Sequence, residues 1–181
     1  MTTVILYLIG KPGTGKYSIA KEISKYGYTI CDNQLINNPI FALLNYDGLA
    51  TTIIPGYAWD AITKIRNSVF DFLNHKTYGD YVLTNVLNED AGDRALFAQV
   101  MKMASDRGSL FIPVKLLISE EENIKRIQNP DRLSRYKSTD TADIATQTPL
   151  LHISHPNLLE LDVTTLSTRQ AARIILTHVA Q

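Results

Sequence analysis

Cysteine is almost missing from this chain: Cys31 is the only one in 181 residues. A lone cysteine excludes an internal disulfide and fits a reducing compartment. An excess of one charge is missing too. Lys and Arg total 18, Asp and Glu total 18, and the formal net charge is +0. No global field therefore draws the chain to nucleic acid or to an anionic lipid surface. Long hydrophobic runs are also lacking. No stretch approaches the roughly 20 apolar residues of a membrane-spanning helix. The apolar run near the N-terminus is far too short for a signal h-region and has no basic residues before it. Internal repeats and low-complexity linkers do not occur. These absences lead to the expectation of a single cytoplasmic domain over residues 1–181, with no membrane partner. The 45% hydrophobic and 20% charged composition is that of an ordinary globular protein with a sizeable core.

What is present is an alternation of short apolar runs with helical periodicity. Val4 to Ile9 is continuously apolar, as a strand buried on both faces of a parallel sheet must be. Ile19, Ala20, Ile23 and Tyr26 share one helical face. Tyr28 to Cys31 reads as a second strand that delivers Asp32 and Asn33 to its end. Gln34 to Leu44 reads as a helix interrupted or kinked near Pro39. A loop follows, then helical spacing from Tyr57 to about Asn74, with Trp59, Ile62, Ile65, Val69 and Leu73 as core positions. Tyr81 to Thr84 is a strand ending in Asn85. Ala91 to Arg107 is a helix with Leu96, Phe97, Val100, Met101 and Ala104 inward. Leu110 to Ile118 is a strand whose start Pro113 blurs. Ser119 with Glu122 is a capping-box signature, and so is Ser167 with Gln170. Leu158 to Val163 is the last strand. Such alternation implies βαβ units and a parallel sheet with helices on both faces. Ligands of such sheets lie beyond the carboxyl ends of the strands. That rule brings residues 10–18, Asp32, Asn85 and the loop after Val163 to one edge.

Between the first strand and first helix runs Gly10-Lys11-Pro12-Gly13-Thr14-Gly15-Lys16-Tyr17-Ser18. Glycines let the chain curl so that several backbone N–H groups converge, and the following helix adds the positive end of its dipole. Lys16 supplies a cation for outer phosphates. The usual pattern puts a hydroxyl directly after the Lys, where this chain has Tyr17.

Written G-x-P-G-x-G-K-x-S, the stretch is similar to the Walker A form of the nucleotide kinases, in which the hydroxyl comes two places after the Lys. Ser18 is then in register. The order of elements over nearly the whole chain resembles the small P-loop kinases: adenylate, shikimate and gluconate kinases and chloramphenicol phosphotransferase, together with AAA-type ATP-binding bacterial proteins. The resemblance implies a three-layer αβα P-loop NTPase fold. Its five-stranded parallel sheet would run in the order 2-3-1-4-5, with an acceptor-side helical region at about 33–76 and a small lid at about 123–147.

The resemblance also implies roles. Residues Gly10 to Ser18 would hold ATP, Lys16 would bridge its outer phosphates, and Ser18 would ligate Mg2+. Asp32 would orient or deprotonate an acceptor hydroxyl; alternatively it caps the next helix. Arg126, Arg132 and Arg135 would close over the transferring phosphoryl group; alternatively they form a solvated face paired with Glu120, Glu121, Glu122 and Asp131. Thr164 and Thr165 would line the adenine side, or simply make a turn. Two departures stand out. Asn85 occupies a position where adenylate and shikimate kinases carry an acidic residue, and Asn is a weaker ligand for a hard cation. Arg66 is the only arginine between 33 and 75; it reads as a surface residue, which disfavours a monophosphate acceptor. The expectation is a kinase acting on a small-molecule hydroxyl. The alternative is a nucleotide-binding module with little or no transfer. Kinase action on a nucleic-acid end is disfavoured by the neutral charge. His152 and His155 have a metal-like spacing without accompanying ligands. The oligomeric state is open.

Overall fold

Seven consecutive buried residues, Val4–Gly10, form β1. With no polar face to offer water, such a strand belongs in the middle of a sheet, and β1 lies between β3 (Tyr81–Asn85) and β4 (Leu110–Leu117). The edges are β2 (Thr29–Asp32), beside β3, and β5 (Leu159–Asp162), beside β4. All four pairings are parallel, and the order is β2-β3-β1-β4-β5. The computed structural model describes residues 2–49, 52–130, 132, 141 and 148–181. Of the lid expected at about 123–147, residues 131, 133–140 and 142–147 lie outside those described.

Because successive strand residues point to opposite faces, β1 seeds two cores. Ile5, Tyr7 and Ile9 pack against α2 (Asn33–Leu43), α3 (Gly56–His75) and α4 (Ala91–Asp106). Val4, Leu6 and Leu8 pack against α1 (Lys16–Ser24) and α6 (Thr168–Val179). The helix α5 (Glu120–Ile127) follows β4.

Three expectations need correction. Of the two outcomes expected at Pro39, an interruption or a kink, the interruption does not occur: α2 runs through it. A proline removes the hydrogen bond to the carbonyl four residues back. That residue, Leu35, is 57% exposed, so water can take its carbonyl. Buried Ile36 and Phe41 hold the helix to the core meanwhile. Trp59, Met101 and Tyr26, expected inward, are substantially exposed. Trp59 rests edge-on against Phe41 instead. Of the two capping boxes, only Ser167 with Gln170 is complete. At Ser119 the hydroxyl caps Glu122 N–H, but the Glu122 carboxylate pairs with Arg126.

Pro113 sits inside a strand with neighbours on both sides, yet costs no ladder bond. Asn157 donates its side-chain amide to Phe111 O, so Phe111 and, by alternation, Pro113 face the β5 side. The β5 pairing begins only at Val114. The missing N–H therefore falls where no strand is waiting.

Candidate functional site

The loop between β1 and α1 lies at the carboxyl edge of the central strand. Gly13 has φ 88° and Gly15 has φ 81°, the left-handed region that side chains disfavour. Thr14 is 1% exposed, and its hydroxyl and N–H both bond Lys11 O, at 2.9 and 3.3 Å. The turn therefore supports itself. Gly15 is the N-cap of α1 and brings no side-chain cap, so no capping side chain stands over the positive end of the helix.

Lys16 opens α1. Its ammonium bonds Gly10 O at 2.5 Å and Lys11 O at 2.9 Å, and so lies over the loop. Ser18 is exposed one turn in. Tyr17 points along the helix surface, with Lys21 5.9 Å over its ring. The oxygen donors here suit a hard cation such as magnesium: the Ser18 hydroxyl is exposed, and the Asp32 carboxylate ends β2, on the far side of β3 from β1.

The side of the loop towards α5 is held by a residue that sequence reasoning passed over. Asn123, 2% exposed, donates its amide to Pro12 O at 2.5 Å. A Cβ on Gly13 would collide with that amide. The α5 segment is fastened in turn to the strand β5 loop. Ser119 N–H donates to Thr164 Oγ1 at 2.9 Å, and Thr164 N–H to Asp162 Oδ1 at 2.8 Å. Thr165 is exposed at the turn.

For Arg126 the alternative, pairing with Glu122, is the arrangement observed. Its Nε donates to Glu122 at 2.7 Å, and its terminal nitrogen donates to Val163 O at 3.0 Å and Thr164 O at 3.1 Å. With these acceptors it braces the loop after β5 rather than reaching across the phosphate loop. Arg132 is half-buried, and loss of water pulls its pKa down. Arg135 and Asp131 lie outside the described residues.

On the other flank, Asp32 is 5% exposed and accepts from Leu35 N–H at 3.2 Å, so it caps α2. Thr84 Oγ1, on the adjacent strand, accepts from Asn33 N–H at 3.4 Å. Asn85 belongs to a short ladder. Tyr7 Oη donates to Asn85 Oδ1 at 3.1 Å, and Asn85 Nδ2 donates to Asn33 Oδ1 at 3.0 Å. Burial pushes the Tyr7 phenol far above its usual range, so it remains a neutral donor.

Arg66 is the second residue misplaced by the sequence. It is half-buried and electrostatically coupled to Tyr7 and Asp93. Its Nε is buried without a hydrogen-bond partner. The available signal was helical phase: Ile62 and Phe70, four residues either side, are 0% and 4% exposed. The histidines do not form a joint site. His152 is exposed, while the His155 ring packs edge-on against Phe111.

No family model matches the chain, and no curated protein matches it. Solved structures do. A sugar kinase from Janibacter sp. HTCC2649 superposes with a TM-score of 0.66 at 11% identity, covering 98% of this chain and 95% of that one. A gluconokinase from Sinorhizobium meliloti 1021 gives 0.64 at 16% identity, over 98% and 91%. The APS kinase of Mycobacterium tuberculosis, in complex with AMPPNP and APS, gives 0.56 at 18% identity, over 99% of each chain. The fold is that of the P-loop kinases. The sheet order expected from the resemblance is the one observed. Within this P-loop kinase fold, the loop at 10–18, Asp32 and Asn85 share the carboxyl edge of strands β1, β2 and β3.

Proposed function

We propose that the chain transfers the γ-phosphoryl group of ATP to a hydroxyl of a small molecule. The observation that carries this reading is the loop. It offers a helix head without a side-chain cap, two glycines with positive φ and a lysine ammonium, all at the carboxyl edge of the central strand. The gluconokinase, sugar kinase and APS kinase likenesses support small-molecule phosphotransfer as the use of this fold.

In this reading Lys16 exchanges the Gly10 and Lys11 carbonyls for the β- and γ-phosphate oxygens. Magnesium, when bound, neutralises phosphate charge; Ser18 would hold it, with Asp32 as the nearby carboxylate. The acceptor enters between α2, α3 and the end of β3. Its oxygen forms a bond to the γ-phosphorus as the bond to the bridging oxygen breaks. ADP leaves, and the hydroxyl proton passes to Asp32, whose orientation is set by its cap on α2. Arg132 and Arg135 close over the γ-phosphoryl oxygens. Arg126 keeps the adenine-side loop, with Thr164 and Thr165, in place. Catalysis is then positioning and charge stabilisation, as phosphoryl transfer requires.

Titration with AMP-PNP and magnesium tests the loop. Lys16→Ala should weaken binding at least about tenfold, the loss of one charge-assisted contact, and abolish transfer. Unchanged affinity would refute the assignment. One observation favours a second reading, a nucleotide-binding module without transfer. Asn85 spends its amide on Tyr7 and Asn33 and brings no charge to the metal side. Tight nucleotide binding with background ADP release across a panel of hydroxyl acceptors would favour that module.

A further inference from the structure

The outer stripe of α3 faces solvent. Asp60, Lys64, Ser68, Asp71, Phe72 and His75 are all exposed, Phe72 to 62%. Asp60, Lys64, Asp71 and His75 form no ion pair among the described residues. Ser68 turns its hydroxyl back onto Lys64 O at 3.0 Å, which leaves the middle of the stripe flat. One flank is apolar. Ile65, Phe72 and Leu35 line an open groove of about 570 Å3 between α3 and the outer edge of β2. Contiguous exposed apolar surface marks an interaction site.

The order of charges along the stripe says what fits it. At about 3.6 residues per turn, Lys64 and Asp71 fall on one side of Ser68, and Ile65 and Phe72 fall on the other. A two-fold axis beside Ser68 runs a second α3 antiparallel to the first, reversing height along the helix while keeping each residue on its own side. Lys64 then meets Asp71 of the second copy, and Phe72 meets Ile65 of the second copy. Both contacts occur twice. Asp60 and His75 come together in the same way, one turn further out. The stripe is therefore complementary to itself, as an isologous interface must be. A parallel arrangement would instead set the charged residues against Ile65 and Phe72. The formal net charge of +0 leaves no overall repulsion between copies.

We infer that a second copy of this chain docks on α3, antiparallel, with Ser68 at the two-fold axis. Phe72 of each copy covers the groove wall at Ile65 of the other. The Lys64–Asp71 pairs on the outer side fix direction and register. The small Ser68 side chain lets the helix axes approach to the usual distance of about 8–10 Å. A contact of one helix and one groove lies at the small end of specific interfaces, about 1,200 Å2 in total. The dimer is therefore reversible, favoured by concentration and weakened by salt.

Sedimentation velocity of the full chain over a concentration series reads the association directly. The wild-type protein should pass from monomer to dimer. Lys64→Asp and Asp71→Lys each set like charges together at both pairs. Each should weaken association at least about tenfold, with circular dichroism and melting temperature as in the wild type. Mixed in equal amounts, the two variants bring opposite charges together at both pairs and should recover wild-type association. Ser68→Cys should form an intermolecular disulfide under mild oxidation, because residues on the axis lie within disulfide reach. Thr63→Cys, exposed but turned away from the stripe, should not. Cys31, 6% exposed, does not compete. A dimer that neither charge reversal weakens, folded variants that fail to associate when mixed, or equal cross-linking of Thr63→Cys and Ser68→Cys would each overturn the inference. So would a protein that is monomeric at every concentration. If that monomer bound anilinonaphthalene sulfonate and Phe72→Asp abolished the binding, the groove would belong to a small apolar ligand instead.

Discussion

Replacing Gly13 by alanine should cost more than replacing Gly15, although both have nearly the same backbone conformation. At φ 88° and 81° an alanine pays roughly 1–2 kcal/mol for left-handed geometry. At Gly15 nothing lies within 4 Å of the added Cβ, so the cost stops there. At Gly13 the Cβ meets the Asn123 amide and comes within 3.1 Å of Ile127 Cγ1. The amide cannot retreat, being 2% exposed and bonded to Pro12 O. Overpacking of this kind adds about 1–3 kcal/mol. The sum is roughly 2–5 kcal/mol, and at about 2–4 °C per kcal/mol the melting temperature should fall by something like 4–20 °C. A double-mutant cycle isolates the collision. Asn123→Ala alone should cost about 1 kcal/mol for the lost bond to Pro12. In the double variant the collision with the amide is gone and only the tight Ile127 contact remains, so its cost should fall below the sum of the singles by about 1–3 kcal/mol. Urea unfolding with constant m-values measures all four proteins. Additivity within about 0.5 kcal/mol, or a Gly15→Ala as damaging as Gly13→Ala, would refute the claim that Asn123 fixes the loop.

Two further outcomes concern the scaffold. Arg107, 5% exposed, donates to the carbonyls of Leu73, Lys76 and Gly79 and covers the Tyr81 ring at 5.0 Å. Arg107→Met should destabilise by roughly 3 kcal/mol, since three carbonyls lose a charged donor and water can repair only the outer ones; a loss under about 1 kcal/mol in chemical denaturation would show that the clamp is not needed. His155 has its pKa lowered by burial, and its Nδ1 accepts from Asn157 N–H at 3.1 Å, which requires that nitrogen to be unprotonated. The folded chain therefore binds fewer protons than the unfolded one near the ordinary histidine pKa. The His155 contribution is complete above about pH 6.5 and is lost as pH falls through that value towards the depressed folded pKa. His155→Phe, which keeps the ring against Phe111, should flatten that part of the stability profile; an unchanged slope would rule His155 out as its source.

Much of the fold was legible because it rests on patterns local in sequence. The unbroken apolar run at Val4 to Ile9 suits a strand buried on both faces, and the glycine-rich turn after it reads as leading into a helix; both are observed. Ser167 and Gln170 announced the start of α6 and made both bonds of the box. Where local chemistry had a competitor, it misled. Glu122 satisfies the same box pattern, yet Arg126 one turn on offers a full charge, and the charge-assisted bond displaces the neutral cap. Pro39 should break a helix, but packing of Ile36 and Phe41 outweighs one lost hydrogen bond beside solvent.

Other positions were less legible for a different reason: some polar residues stand on the buried stripes of helices, where residue type argues for the surface and phase argues for the interior. Arg66 lies between Ile62 and Phe70, Asn123 lies four before Ile127, and Asn37 lies four before Phe41; each of these apolar neighbours is at most 5% exposed. All three polar residues carry a buried atom without a partner. Desolvating such groups costs free energy that an apolar residue in the same place would not, so phase should have outweighed residue type in reading them. Helical phase alone places Arg66 inward, between Ile62 and Phe70. It also leaves Arg126 for a structural task, because nothing in sequence says which carbonyls a guanidinium will find. The two arginines thus exchange the burdens their sequence context suggests: the one on the polar-looking α5 holds a loop together, and the half-buried one among apolar neighbours keeps its Nε without a hydrogen-bond partner.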